Sequence, residues 1–196
     1  MGKDYNIVRY IRKQTADFND ERFTLAIQRA FDLIIKFQDH KGCLTSSVIL
    51  YIALKELGYN PQICYGLCKT KNNFEFYHAW IELNNKVIDV AIYGNINFSP
   101  LTKEEPNIEL PVVLEDYKDC CIEYGRFCFD EDWDNAEIKT AENWSIAQYF
   151  QNAHTQQIYK IASNVLNEPI RANTVAIVDK YKNIKISNYR DKIEGA

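Results

Sequence analysis

The chain has 196 residues, of which 46% are apolar and 26% charged, a composition typical of a folded globular protein rather than a disordered one. Its formal net charge is -4 and its basic residues are scattered, so nucleic acid is not an expected partner. The first residues lack an apolar signal segment, and no apolar run approaches the ~20 residues that span a bilayer. We therefore expect a cytoplasmic protein without a membrane partner, whose six cysteines are reduced.

The first two predicted elements are helices. Apolar residues recur at helical spacing from Asp20 to Gln38, and Asp20 can cap the N-terminus of this helix. A second helix is predicted over Cys43 to Leu57, and its broad apolar face indicates that most of it is buried. Gly58 follows as a C-terminal cap.

The next three predicted elements are strands of an antiparallel meander. They span Gln62 to Cys68, Phe74 to Leu83 and Lys86 to Ile92. Asn84-Asn85 is typical of a two-residue turn between the last two strands. The predicted fold class is therefore α+β, with the N-terminal helices packed on an antiparallel sheet.

The pattern after the meander is weaker. A polar loop is predicted from Ser99 to Pro111, one or two strands within Tyr117 to Phe129, and a long helix from Glu142 to Leu166. The tail from Thr174 fits either helix or strand. We interpret residues 1–196 as one domain, with a core motif region at about 20–95 and an extension, partly helical, over 96–196. The oligomeric state is left open.

Cys43 is a candidate nucleophile because of its place at the start of the second helix. A cysteine attacks as its thiolate, and a free thiol has a pKa of about 8.5, so it needs help at neutral pH. The unpaired N–H groups and the dipole of a helix N-terminus favour an anion there. Gly42, just before it, allows a sharp entry into the helix and the close approach of a substrate.

His78 and Asp89 are the candidate base and its orienting partner. If Asn84-Asn85 forms a two-residue turn, Trp80 lies opposite Asp89. His78 shares the sheet face of Trp80, so His78 and Asp89 are diagonal neighbours, roughly 7–8 Å apart at the backbone. Their side chains can close that distance, and the carboxylate can then orient the imidazole and stabilise the imidazolium. A bulge or an odd loop length would instead move Asp89 to the opposite face.

An ordered set of motifs carries a resemblance to a known family. The runs are Cys43-Leu-Thr-Ser-Ser with a following Ala-Leu-x2-Leu-Gly, Tyr65-Gly66, His78-Ala-Trp-Ile-Glu, and Val-Ile-Asp89. In this order they resemble the transglutaminase-like superfamily, the papain-like group of cysteine peptidases and acyltransferases. The His-Ala-Trp-x-Glu run is also similar to the leader-processing peptidases of lasso-peptide biosynthesis. The resemblance covers roughly residues 38–95.

The resemblance implies a papain-like, transglutaminase-like fold and a catalytic triad. Cys43 would be the nucleophile, His78 the base and Asp89 the orienting acid, and no metal or organic cofactor is implied. Papain-like enzymes place a Gln a few residues before the Cys, which makes Gln38 a candidate oxyanion donor beside the backbone N–H of Cys43. The expected activity is acyl transfer through a thiol, by hydrolysis or transamidation, on a peptide or protein substrate.

Two alternatives are weighed against the enzyme. A non-catalytic binding module on the same fold would use residues 96–196 as a partner surface. A zinc-stabilised domain would use His40, Cys43, Cys64 and Cys68, but four strand residues span roughly 13 Å, too far for Cys64 and Cys68 to share one ion. Three further residues receive structural interpretations: Trp80 as core packing, Glu82 as solvated and His154 as a helix-face residue.

Overall fold

The computed structural model describes residues 2–40, 42–125, 144–150, 160–165, 179–185 and 187–188. It opens with helix α1 (Gly2–Gln14), which the sequence pattern did not indicate. Ile7 and Ile11 are buried one helical turn apart, so α1 contributes an apolar stripe to the core. A 3₁₀ turn (Ala16–Phe18) leads to the next helix.

Helix α2 (Glu21–Phe37) confirms the first predicted helix. Asp20 caps it, since its carboxylate accepts a hydrogen bond from the backbone N–H of Arg22 at 2.9 Å. The same carboxylate accepts a hydrogen bond from the Tyr59 hydroxyl at 2.9 Å. The cap therefore also fixes the start of α2 against the segment that follows the next helix.

Helix α3 (Cys43–Glu56) confirms the second predicted helix, and its residues 46–54 are all buried. Gly58 ends it in the left-handed region, with φ of 91°. The N–H groups of Gly58 and Tyr59 donate to the carbonyl oxygens of Lys55 and Leu54, each at 3.0 Å. This pair of bonds is a Schellman cap, the ending that the glycine predicted.

Three consecutive strands form the predicted meander: β1 (Gln62–Lys69), β2 (Glu75–Leu83) and β3 (Lys86–Asp89). Asn84 and Asn85 have φ of 54° and 63°, as a two-residue primed turn requires. Leu83 pairs with Lys86 and Ile81 with Ile88. The predicted hairpin register is confirmed.

The end of the third predicted strand is wrong. The strand stops at Asp89, and helix α4 (Ala91–Phe98) begins two residues later. The Asp89 carboxylate accepts a hydrogen bond from the backbone N–H of Ile92 at 3.0 Å, so it caps the first turn of α4. An apolar run around one Asp fits a buried strand or a helix equally well, and this local hydrogen bond decides between them.

Three short strands complete the six-stranded sheet: β4 (Val112–Glu115), β5 (Glu123–Tyr124) and β6 (Ser187–Asn188). The hydrogen-bonded order is β4-β3-β2-β1-β5, and β6 also pairs with β1, in parallel. The predicted polar loop contains a 3₁₀ turn (Pro100–Thr102), and another (Tyr117–Asp119) precedes β5. Phe129, where the predicted strand region ended, lies outside the described residues.

The sheet buries side chains on both of its faces. Odd-numbered residues such as Ile63, Ala79 and Ile81 pack in one cluster with α1, α2 and α3. The second cluster contains side chains of β1, β2, β5 and α4: Cys64, Cys68, Trp80, Tyr124, Ile92 and Ile96. Helices packed on an antiparallel sheet make an α+β fold of the transglutaminase-like kind, as predicted.

The described C-terminal segments include helix α5 (Ile146–Phe150) and residues 160–165, which are also helical. Ser145 and Gln148 form a reciprocal capping box with bonds of 2.8 and 3.3 Å. Ser145 also forms a β-bridge with Lys185. The long predicted helix is therefore wrong at Trp144 and Ser145, while His154 lies outside the described residues.

Candidate active site

Cys43 is the first residue of α3, and it is half-buried. Gly42 precedes it and has no side chain that could cap the helix, so the first N–H groups of α3 receive no hydrogen bond from a capping side chain. The Ser46 hydroxyl donates to the Cys43 carbonyl oxygen at 3.0 Å, which holds the first turn closed. Cys43 therefore lies at the positive end of the α3 dipole.

The loop before Cys43 is held by Asp39. The Asp39 carboxylate accepts a hydrogen bond from the Gly42 N–H at 2.8 Å. Gly42 and Gly94 of α4 both lie so close to Asp39 that an added Cβ would collide with its carboxylate or its carbonyl oxygen. Because these two glycines have no side chains, the loop before Cys43 can pack directly on α4.

His78 and Asp89 are in direct contact. The Nε2 atom of His78 lies 2.6 Å from Oδ2 of Asp89, and the two side chains are 0% and 1% exposed. His78 comes from β2, while Asp89 ends β3 on the same face of the hairpin. The contact predicted from the register is confirmed, because the two-residue turn keeps the parity on which it depended.

Asp89 accepts two further hydrogen bonds. The buried Tyr124 hydroxyl donates to Oδ2 at 2.8 Å, and the N–H of Ile92 donates to Oδ1 at 3.0 Å. Burial, followed by the charge of Asp89, raises the pKa of Tyr124 well above its ordinary value, so this phenol remains a donor. The carboxylate is therefore held in one orientation by three donors from β2, β5 and α4.

Cys43 is a further neighbour of His78, because its hydrogen bond and charge act on the pKa of the ring. Burial alone lowers the pKa of His78, but the charge and hydrogen bond of Asp89, followed by the hydrogen bond and charge of Cys43, raise it to about 10. Since Nε2 donates its proton to Asp89, the Nδ1 atom remains to exchange a proton with the thiol. The arrangement can hold a thiolate beside an imidazolium.

Gln38 ends α2 as its C-terminal cap, with φ of 46°. Its backbone N–H donates to the Ile35 carbonyl oxygen at 3.2 Å, and its side chain is exposed. The direction of the Gln38 side chain follows from the turn that ends α2. No described contact joins it to the residues of the site. Its oxyanion role stays a prediction.

The described residues do not contain a group of three or more His, Cys, Asp or Glu side chains placed to hold a metal ion. Cys64 and Cys68 lie on β1, as predicted, and both are fully buried. Burial raises the pKa of Cys68 well above its ordinary value. These thiols are typical of buried apolar packing.

The prediction for Glu82 is wrong. Its side chain is buried and accepts a hydrogen bond from the Tyr117 hydroxyl at 2.7 Å. The same hydroxyl accepts a hydrogen bond from Nε1 of Trp80 at 3.1 Å. Trp80 itself is fully buried, so its interpretation as core packing is confirmed.

Two residues at the site were missed from the sequence. Tyr124 reaches Asp89 from β5, and Asn95 of α4 donates through Nδ2 to Nδ1 of His78 at 3.2 Å. Asn95 lies six residues after Asp89, beyond the end of the predicted strand at Ile92, on a helix that the sequence did not predict. Tyr124 depends on β5 pairing with β1, a long-range contact without a local signal.

Comparison with known proteins finds one match. Residues 7–103, just under half of the chain, match the family model of the transglutaminase-like superfamily. The matched region contains the later part of α1, helices α2 to α4 and strands β1 to β3, and so includes Cys43, His78, Asp89 and Asn95. No curated protein and no solved structure gave a match. The superfamily suggests a cysteine-dependent acyltransferase or peptidase.

Within the part of the chain that the structure describes, no helix is both long and apolar enough to cross a membrane.

Proposed function

We propose that this protein is a cysteine-dependent acyl-transfer enzyme with Cys43 as nucleophile, His78 as base and Asp89 as orienting acid. The observation that carries the proposal is that the His78 ring interacts with both Asp89 and Cys43. Its Nε2 atom is bound to Asp89 at 2.6 Å, while Cys43 contributes to its raised pKa through a hydrogen bond. A thiol and a carboxylate that both interact with one imidazole are the elements of a nucleophile–base–acid triad.

The proposed reaction begins with transfer of the Cys43 proton to Nδ1 of His78. The thiolate attacks the carbonyl carbon of an amide or thioester, and a C–S bond forms. His78 returns the proton to the leaving amine or thiol as the scissile bond breaks. Water or an amine, deprotonated by His78, then attacks the acyl-enzyme and releases Cys43.

The tetrahedral intermediate needs donors for its oxyanion. The backbone N–H of Cys43, at the first turn of α3, has the position and the dipole for this role. Gln38 remains a second candidate through movement of its exposed side chain. Its contribution is proposed from the spacing to Cys43 and tested by Gln38→Ala.

The proposed substrate is a peptide or protein. Support comes from the His78-Ala-Trp-Ile-Glu run, whose similarity to leader-processing peptidases favours cleavage of a peptide chain. We also propose a cytoplasmic location, because Cys43, Cys68, Cys120 and Cys121 form no disulfide among the described residues, as expected in a reducing compartment.

Alkylation with iodoacetamide at about pH 6 tests the proposal, because an ordinary thiol is almost fully protonated there. We expect wild-type Cys43 to be modified rapidly, and the His78→Ala variant at least ~100-fold more slowly. Cys43→Ser identifies the modified site. Equally slow labelling of wild type and His78→Ala would reject the enzyme and favour the binding module.

A further inference from the structure

Asn95 touches the ring nitrogen of His78 that is not bound to Asp89. Its Nδ2 atom lies 3.2 Å from Nδ1 of His78, the atom through which the proposed proton transfer with Cys43 runs. Asn95 is thus a polar neighbour of Nδ1, and it was not among the catalytic residues predicted from the sequence.

The other end of the same carboxamide is unsatisfied. The Oδ1 atom of Asn95 is buried and has no hydrogen-bond partner among the described residues. A buried carbonyl oxygen without a donor is costly, by about 1–3 kcal/mol in mutational data. A half-turn about the last side-chain bond exchanges Oδ1 and Nδ2 without changing the shape of the group. That turn would bring Oδ1 to Nδ1 of His78.

The position of Asn95 is fixed by its own backbone and by its neighbour. The Thr102 hydroxyl donates to the Asn95 carbonyl oxygen at 3.0 Å. Gly94 packs on the Asp39 carbonyl oxygen with no room for a Cβ, which ties α4 to the loop before Cys43. The amide can therefore rotate at its end while its backbone stays beside both His78 and the nucleophile loop.

Resting on the proposed function, we propose that Asn95 is a positioning residue whose carboxamide turns with the protonation of His78. With the neutral ring, Nδ2–H donates to Nδ1. With the imidazolium, Nδ1–H donates to Oδ1, which then gains the partner it lacks. Asn95 thereby keeps the ring aligned with Cys43 in both states and favours the charged one, because hydrogen bonds to an ionised group are roughly twice as strong as neutral ones.

The other ionisable groups near the ring are Cys43 of α3, Asp89 of β3 and Tyr124 of β5. Further thiols within electrostatic reach of Asp89 come from β1 and from the segment before β5: Cys68, Cys120 and Cys121. Burial raises the pKa of Cys121 to about 12 and that of Cys68 and Cys120 above the ordinary value. Because these thiols titrate at higher pH than His78, a shift in the pKa of His78 caused by a substitution at Asn95 can be distinguished from their titration.

The test is an NMR titration of the ring nitrogens of His78 in the full chain, which has three histidines to assign. Asn95→Leu keeps the branching at Cγ and removes the amide, and we expect the His78 pKa to fall by about one pH unit. Asn95→Asp keeps the shape and supplies an acceptor with a charge, and we expect the pKa to rise. Asn107→Asp adds the same charge at an exposed position and should leave the titration unchanged.

Opposite shifts in Asn95→Leu and Asn95→Asp support the proposal. Unchanged titrations, or shifts of the same sign in both variants, overturn it and leave Asn95 as a structural neighbour; Asn95→Asp keeps the test valid if Asn95→Leu unfolds. The result is independent of the proposed function, since slow alkylation of wild-type Cys43 would reject the enzyme without affecting the NMR titration.

Discussion

The two nitrogen atoms of His78 lie in contrasting surroundings. On the Nε2 side, Asp89 is buried and receives three hydrogen bonds from three different elements. On the Nδ1 side, Asn95 has an unsatisfied oxygen, and the neighbouring Cys43 is half-buried. A carboxylate with three donors holds the Nε2 side, which is thus the rigid side, whereas one carboxamide contacts Nδ1. In the proposed function the rigid side sets the orientation of the ring and the Nδ1 side takes part in proton transfer.

Removing the charge on the rigid side should have the largest effect. Asp89→Asn keeps the shape of the side chain but removes the carboxylate that stabilises the imidazolium. We expect alkylation of Cys43 at about pH 6 to slow by ~10²–10⁴-fold. Wild-type rates in Asp89→Asn, with the variant folded by circular dichroism, would show that the orientation of His78 does not depend on Asp89.

The pH dependence of stability should test the contact between His78 and Asp89 as well. The pKa of His78 is raised in the folded state above its ordinary value of 6.5, so its stabilising contribution is fully present below about pH 6.5 and is lost as the pH rises toward about 10. We expect the free energy of unfolding to fall across this window by an amount on the order of a few kcal/mol.

Other groups also titrate there, so His78→Gln is the control for the stability measurement. Denaturant unfolding of both proteins should show that the advantage of the wild type narrows with rising pH. A difference that stays constant or widens between about pH 6.5 and 10 would contradict an imidazolium bound to Asp89.

A smaller effect is expected from one of the donors to Asp89. Tyr124→Phe removes a hydroxyl that lies 2.8 Å from the carboxylate and should slow alkylation of Cys43 by ~3–10-fold, with a loss of about 1–2 kcal/mol in stability. Tyr117→Phe is the matched control, because its hydroxyl bonds Glu82 and Trp80 instead. It should lower stability while leaving the alkylation rate unchanged. Equal rate losses in both variants would mean that Tyr124 acts only through packing.

The sequence predicted the elements that depend on local signals. Periodicity and the caps at Asp20 and Gly58 gave α2 and α3, and the Asn84-Asn85 turn gave the register that brings His78 to Asp89. The placement of this pair followed from counting residues across the turn. The catalytic roles of Cys43, His78 and Asp89 stay predictions, since contact alone does not measure reactivity.

The remaining features depend on contacts between distant parts of the chain. Helix α4 was hidden because Val87 to Ile92 is apolar except for Asp89, and one hydrogen bond from the N–H of Ile92 to Asp89 separates strand from helix. Glu82 was expected in solvent because its partner Tyr117 lies 35 residues away. Tyr124 enters the site through β5, which lies within the predicted strand region but whose pairing with β1 has no local signal. Asn95 enters it through α4, which no periodicity indicated.

Trapping of an acyl-enzyme tests the central claim most directly. The wild-type protein is treated with p-nitrophenyl acetate at neutral pH, quenched in acid and digested for mass spectrometry. We predict an acetyl group on the peptide that contains Cys43, absent in Cys43→Ser and strongly reduced in His78→Ala. Acetylation spread evenly over the six cysteines, or unchanged by His78→Ala, would contradict a nucleophile activated by His78.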